Sequence, residues 1–336
     1  GRPIDPLSGG QEYETTSVFG SYCDVDDAAA ISYANQLCNQ AGVDTIAAGA
    51  TMAFAIECFE RGIITAEDTG GIELAWGDAG AMIAMLEKTL AREGFGDVLA
   101  EGSARAAEVI GNGAEAVSLT VKGAELPAHM PHVKRSLALI YSVNPFGADH
   151  QSSEHDTSYE PELLETSPDK YRPRMTEIGL SDPQDPTVLN PAKVEFALAT
   201  HRAYSALDTE NICQFVFGPG WQLLSMGELA RVVTAVIGEE RTVDDLLEIG
   251  ARRLNLLRAY YAREGLPRAD DTLPRGLLDE PLEGGLTDGV KVDEDDWREA
   301  LDEYHRRAGW DLETGAPTRE TLEGLGLAWV ADEIGV

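Results

Sequence analysis

Four stretches in the first 111 residues share one grammar: an aspartate, then apolar residues at helical spacing, then a glycine. Asp26 stands before a segment reaching about Gln40. Asp44 stands before "TIAAGATMAFAIECFER", with Gly62 behind it. Asp78 precedes "AGAMIAMLEKTLARE", which ends at Gly94, and Asp97 precedes "VLAEGSARAAEVI", which ends at Gly111. A short acceptor side chain satisfies the first free amides of a helix, and glycine takes the left-handed conformation that ends one. Four such helices in a row predict an all-α, multihelical fold. The one good strand candidate is "AVSLTVKG", 116–123, where apolar and polar residues alternate, so at most a small β element is expected.

The texture then changes. From Glu125 to about Asn190 the chain is rich in His, Pro, Ser and Asp around a single apolar run, "SLALIYSV". A long irregular stretch of this kind usually serves function or linkage. Helices are expected again after Pro191, Ser225 and Thr242, the last stopped by Gly265, with a Pro/Gly/acid-rich loop over 266–290 and short helices to the end. The boundary is placed after residue 122, giving two helical domains, 1–122 and 123–336.

Length fits two domains, since 336 residues exceed one typical core. Fifty-nine Asp and Glu against 26 Lys and Arg give a net charge of −33, which argues against nucleic acid as partner, because phosphates need cations. Four cysteines are too few for a disulfide scaffold and fit a cytoplasmic, reducing compartment. No apolar leader and no run long enough to span a membrane is visible.

Four of the six histidines lie in the irregular segment: His129 and His132 in "PAHMPHVK", His150 and His155 in "GADHQSSEHD". With Asp149, Glu154 and Asp156 they allow a zinc or di-metal reading, provided the donors converge. Ser152, Ser153, His155 and Asp156 allow a hydrolase reading, although a triad is assembled across a fold and no G-x-S-x-G elbow is present. A third possibility is a helical binding or assembly module without a cofactor.

Two further segments have the same shape. "NQAGVD" runs from Asn39 to Asp44 and "DTENIC" from Asp208 to Cys213. Each places Asn or Asp first, a turn-forming Gly42 or Asn211 fourth, and Asp44 or Cys213 last, where a helix gives way to a turn. On spacing alone the reading as two ordinary helix ends is the preferred one.

The pair resembles the doubled D-x-x-G-L-(D or C) motif of the tungsten-dependent aldehyde:ferredoxin oxidoreductase family. Other similar stretches follow in order: "EYET" (12–15), "LCNQAGVDTIAAG" (37–49), "FAIECFERGII" (54–64), "WGD" (76–78), "LAREGFGDVLAEGS" (90–103), "VKGAELPAHMPH" (121–132), "NPFGADH" (144–150) and "DDTLP" (270–274). The resemblance implies the C-terminal helical part of a longer enzyme, whose N-terminal pterin-binding domain and C-x-x-C-x-x-x-C run are absent from this stretch. It implies a tungsten (or molybdenum) bis-pterin cofactor and a four-iron, four-sulfur cluster in the full-length enzyme, with neither expected on this piece alone. It implies aldehyde oxidation with ferredoxin as electron acceptor, a small aldehyde as substrate, and a possible homodimer.

The site residues implied are Asn39, Gly42, Asp44 and Asp208 toward the pterins, Cys213 as fourth ligand of the cluster, and Glu14 and His150 as proton-handling groups beside the metal. Asn39 stands where the family has Asp, and Asn211 and Ile212 replace its Gly and Leu. "HMPH" replaces the family's commoner acidic-Pro-basic stretch. With the partner domain absent, residues 1–20 and both turns are expected to be loosely held.

Overall fold

A computed structural model describes residues 3–336 as helices joined by tight turns, with one two-stranded sheet. The first compact unit comprises 130 N-terminal residues together with Phe146–Ala148 and Pro274–Gly276. The second comprises Pro131–Pro145, Asp149–Leu273 and Leu277–Val336.

In the first unit the capping grammar becomes structure. Asp27, one residue later than expected, accepts from the amides of Ala29 and Ala30 to open the helix Ala28–Ala41. Asp44 accepts from Ala47 N at 2.7 Å to open Thr45–Glu60, and Asp78 from Ala81 N at 2.9 Å to open Ala79–Ala91. Each such cap contributes about 1 kcal/mol. The expected helix after Asp97 is instead two, Phe95–Leu99 and Ser103–Ile110, because Gly102 sits at φ +86 between them. The buried Glu125 carboxylate accepts from Ser103 N and Oγ and so serves the second piece as a cap supplied from elsewhere in the chain. The strand expected over 116–123 shrinks to Thr120–Val121 paired with Ala124–Glu125. Lys122 and Gly123, both at positive φ, turn the chain back before more residues can pair. Val18, Phe19, Met52, Ile56, Met82, Ile83 and Leu86 fill the core between these helices.

In the second unit, "SLALIYSV" forms the helix Ser136–Val143, every residue of which is buried. Its first amide is capped by Asp156, which also accepts from buried Lys193. Further helices, Pro161–Thr166 and Pro168–Glu177, occupy what the sequence suggested was irregular chain. The long helices Pro191–Thr209 and Val243–Arg263 pack so closely that a Cβ on Gly250 would lie 1.9 Å from the Arg202 carbonyl oxygen. Tyr159, Phe196, Tyr204, Leu207, Met226 and Leu246 form the core around this crossing. Both Ser225 and Thr242 open their helices with a reciprocal capping box.

Candidate cofactor and proton-handling site

Glu14 lies in the four-residue helix Tyr13–Thr16, capped by Glu12, whose carboxylate accepts from Glu14 N at 2.9 Å. The Thr15 and Thr45 hydroxyls, 2.8 Å apart, tie this turn to the helix Thr45–Glu60. Glu14 is therefore not a frayed terminal carboxylate: it is 4% exposed. Its Oε2 accepts from Ala128 N at 2.8 Å, and its Oε1 lies 3.0 Å from His129 Nε2. The expectation that "EYET" is loosely held is thus overturned. Contacts with residues 128–129 of the same unit restrain it, and sequence separation hid them.

The other two site residues of the opening segments with polar side chains have local roles. Asp44 caps its helix as described, and its side chain is committed there. Asn39 is exposed and donates Nδ2 to Ser8 O at 3.3 Å, which leaves its amide oxygen as an acceptor toward solvent. Gly42 ends the helix at φ +70, and nothing lies within 4 Å of where its Cβ would be. Backbone conformation, not crowding, requires glycine there.

The second turn repeats the first bond for bond. Val43 N donates to Cys38 O at 3.0 Å and Gly42 N to Asn39 O at 3.4 Å. Ile212 N donates to Leu207 O at 2.9 Å and Asn211 N to Asp208 O at 3.1 Å. Both are Schellman turns, with Asn211 at φ +56 in the place of Gly42. The Asp208 carboxylate lies 3.2 Å from Arg253 Nη2 and accepts from Gln214 Nε2 at 2.9 Å. Partial burial, which outweighs the Arg253 charge, pushes its pKa up, and the nearby Asp149 carboxylate adds to the rise.

Cys213 follows as an exposed, unpaired thiol. Its carbonyl accepts from Val216 N at 3.0 Å and Phe217 N at 3.2 Å. The loop it heads is pinned from below. Arg174 donates to the carbonyls of Gly220 and Gln222, Tyr159 to that of Pro219, and Gln222 Nε2 to buried Glu154 at 3.1 Å. Exposed Phe215 and Trp221 meet edge to face at 5.5 Å on its outer side. The remaining cysteines, Cys23, Cys38 and Cys58, are buried, and burial pushes each thiol up to about 12. Such thiols are poor sources of thiolate.

His150 is half-buried, in a loop of the second unit. Its carbonyl lies 3.0 Å from His155 Nε2, and the two rings are 6.1 Å apart at 41°. The neighbouring acids already have structural duties. Asp149 accepts from Gln151 N and Ser152 Oγ, Asp156 serves Ser136 and Lys193, and Glu154 accepts from Ser158, Tyr204 and Gln222. Burial pushes the Glu154 carboxyl up. His132 is 3% exposed, and burial, helped by Arg135, pushes its pKa down. These commitments do not favour a protein-ligated zinc site or a serine triad on the 149–156 segment.

Comparison with known proteins identifies the family. The family model for aldehyde ferredoxin oxidoreductase, domains 2 & 3, matches residues 2–327. The chain is 34% identical over 322 residues to the tungsten-containing aldehyde ferredoxin oxidoreductase of Pyrococcus furiosus, covering 95% of this chain and 49% of the relative. It is 32% identical over 329 residues to the protein of that name from Thermococcus kodakarensis, covering 97% and 50%. The chain thus spans about half the length of the curated relatives it matches. Among solved structures, the active-site complex BamBC of benzoyl coenzyme A reductase with 1,5 dienoyl-CoA superposes with a TM-score of 0.76 at 24% identity. That match covers 96% of this chain and 50% of the other, and it bears on the fold alone.

Proposed function

Since this chain belongs to the aldehyde ferredoxin oxidoreductase family through domains 2 and 3, we propose that it forms the helical half of an enzyme oxidising small aldehydes to carboxylic acids. The observation that carries the reading is the pair of superposable turns, each presenting an exposed acceptor, Asn39 or Asp208, at the same step. Pterin amino groups are donors, so this pair of acceptors fits them. Asp208 offers a charged acceptor and Asn39 a neutral one, which makes the second turn the stronger hold.

Cys213 fits one corner of a four-iron, four-sulfur cluster, because it alone of the four cysteines is exposed. A cluster takes four thiolates, and the other three are assigned to the half of the relatives' length that this chain does not span. The pinned loop beneath Cys213 fixes where its sulfur is offered, and Phe215 and Trp221 beside it support a surface that is covered in the whole enzyme.

When bound, the tungsten–pterin group and the cluster supply the two-electron oxidation and the exit of electrons, to ferredoxin or a similar carrier. The chain's own residues manage protons. Conversion of an aldehyde and water to an acid releases two protons with the two electrons. Glu14, a buried carboxylate, and His150, an imidazole able to take up and give a proton, are assigned to carry them. The helical binding module and the metallohydrolase are not favoured: the family match argues against the first and the committed carboxylates against the second.

The test is co-expression of this chain with the family's N-terminal half in a tungsten-supplemented host. The reading expects tungsten, iron and acid-labile sulfide to co-purify and an aldehyde to reduce a low-potential acceptor. A well-folded complex without any of the three refutes it.

A further inference from the structure

The loop from Cys213 to Leu224 is built inside out. Phe215, Trp221 and Leu223 are exposed, while the polar Gln222 between the last two is fully buried. Burying an amide side chain is costly unless its groups are bonded, and both groups of Gln222 are. Its Oε1 accepts from Gly220 N at 2.9 Å, and its Nε2 donates to Glu154 Oε2 at 3.1 Å and to Tyr204 Oη at 2.7 Å. The Tyr204 hydroxyl in turn donates to Glu154 Oε2 at 3.2 Å. The other oxygen of Glu154 accepts from His155 N at 3.0 Å and from Ser158 Oγ at 2.9 Å. A carboxylate has about four acceptor sites, and here four donors take them.

The fit is close as well as polar. A Cβ on Gly220 would overlap the Glu154 carboxylate, and one on Gly218 would overlap the Gln222 amide, so the glycines of "FGPGWQ" admit this contact. From Gln222 the order passes along the main chain to Cys213. Leu224, two residues on, donates its amide to Val216 O at 2.8 Å and accepts from Gly218 N at 3.0 Å. The amides of Val216 and Phe217 both donate to the Cys213 carbonyl. Lys170 and Arg174 hold the carbonyls of residues 220–223, whereas Glu154 and Tyr204 hold the buried amide.

We propose that Glu154 is a positioning residue for Cys213: by bonding Gln222 it keeps the 213–224 loop in the single conformation that offers the sulfur to a cluster. The inference rests on the assignment of Cys213 as a cluster ligand made above. Partners that orient a ligand from outside the metal's own shell strengthen its hold on the metal. Glu154→Gln cannot serve all four donors, because its amide nitrogen must face either the Gln222 amide or the His155 main-chain N–H. Swapping the two side chains, Glu154→Gln with Gln222→Glu, restores every bond with the roles reversed.

Two measurements test this. In the 336-residue chain, amide hydrogen exchange at Gly218, Gly220 and Leu224 is expected to speed up roughly 10- to 100-fold in Glu154→Gln, the scale set by one unpaired buried donor. Amides in the middle of the helix Pro191–Thr209 are expected to exchange as in wild type, and the swapped pair is expected to restore protection of the loop. Unchanged loop protection in Glu154→Gln overturns the proposal. A loop that stays loose in the swapped pair overturns it too, whether or not the single variant folds. In the whole enzyme, Glu154→Gln is expected to lose iron to a chelator roughly 10- to 100-fold faster, and the swapped pair at the wild-type rate. If Cys213→Ala removes the cluster while Glu154→Gln keeps its iron as wild type does, positioning by Glu154 is refuted and the ligand assignment stands. If Cys213→Ala keeps the full cluster, the ligand assignment falls, and this inference falls with it.

Discussion

Gly42 and Asn211 occupy the same step of two Schellman turns, at φ +70 and +56, each donating its amide to the carbonyl three residues back. The family motif expects glycine at both steps, and asparagine is the residue that best tolerates this conformation after glycine. In each turn the side chain three residues earlier, Asn39 or Asp208, is left at the surface.

The αL requirement makes a stability prediction. Asn211→Gly should be neutral or slightly stabilising, whereas Asn211→Ala should cost about 1 kcal/mol. Gly42→Ala should cost a similar amount although the space around it is open. Urea unfolding of the chain measures all three, and equal stability of the Ala and Gly variants at 211 would remove the argument from backbone strain.

A second prediction concerns pH. His201 is 3% exposed, with Nδ1 2.7 Å from Tyr304 Oη, and burial together with Arg253 and Arg202 lowers its pKa to about 3. The folded state therefore refuses a proton that the unfolded chain accepts below about 6.5. Stability should fall as pH drops through the window from about 6.5 to about 3, by up to about 1.4 kcal/mol per unit from this group. Glu154 works in the opposite direction above its ordinary range, because its raised pKa favours the fold while it stays protonated. The comparison that isolates His201 is wild type against His201→Asn, which can keep the bond to Tyr304. The variant should lose part of the slope in this window; identical pH profiles would contradict the assignment.

The third prediction concerns His150. In the whole enzyme, His150→Asn should leave tungsten and iron content near normal and lower turnover by roughly 100-fold, the usual effect of removing a positioned acid or base. Metal analysis and steady-state rates on one preparation decide it. Turnover near wild type would make His150 a loop residue whose carbonyl anchors His155.

The sequence was most informative where local chemistry sets local structure. The caps at Asp44, Asp78, Ser225 and Thr242 and the two turn motifs could all be read from a few adjacent residues. It was least informative where a distant partner decides. "SLALIYSV" has no amphipathic period because all its sides are buried, so nothing in it distinguishes helix from strand. Gly102 looked like one glycine inside a longer helix, yet Glu125 caps a new helix just beyond it. The site divides in the same way. Asp208 and Cys213 were singled out by the resemblance of their segment to the family motif, not by spacing alone. The burial of Glu14 and the bond it accepts from Ala128 N join residues more than a hundred positions apart, and nothing adjacent to either in the sequence marks the contact.

The most direct test of the account is the reactivity of Cys213. In the native 336-residue chain, one thiol per molecule should label rapidly, at Cys213, while Cys23, Cys38 and Cys58 label only after unfolding. In the cluster-loaded whole enzyme the same cysteine should be protected, because its sulfur is bound to iron, and removing the cluster should restore labelling. If Cys213 labels at the same rate with the cluster in place, it is not a ligand, and the second turn is an ordinary helix end followed by a surface cysteine.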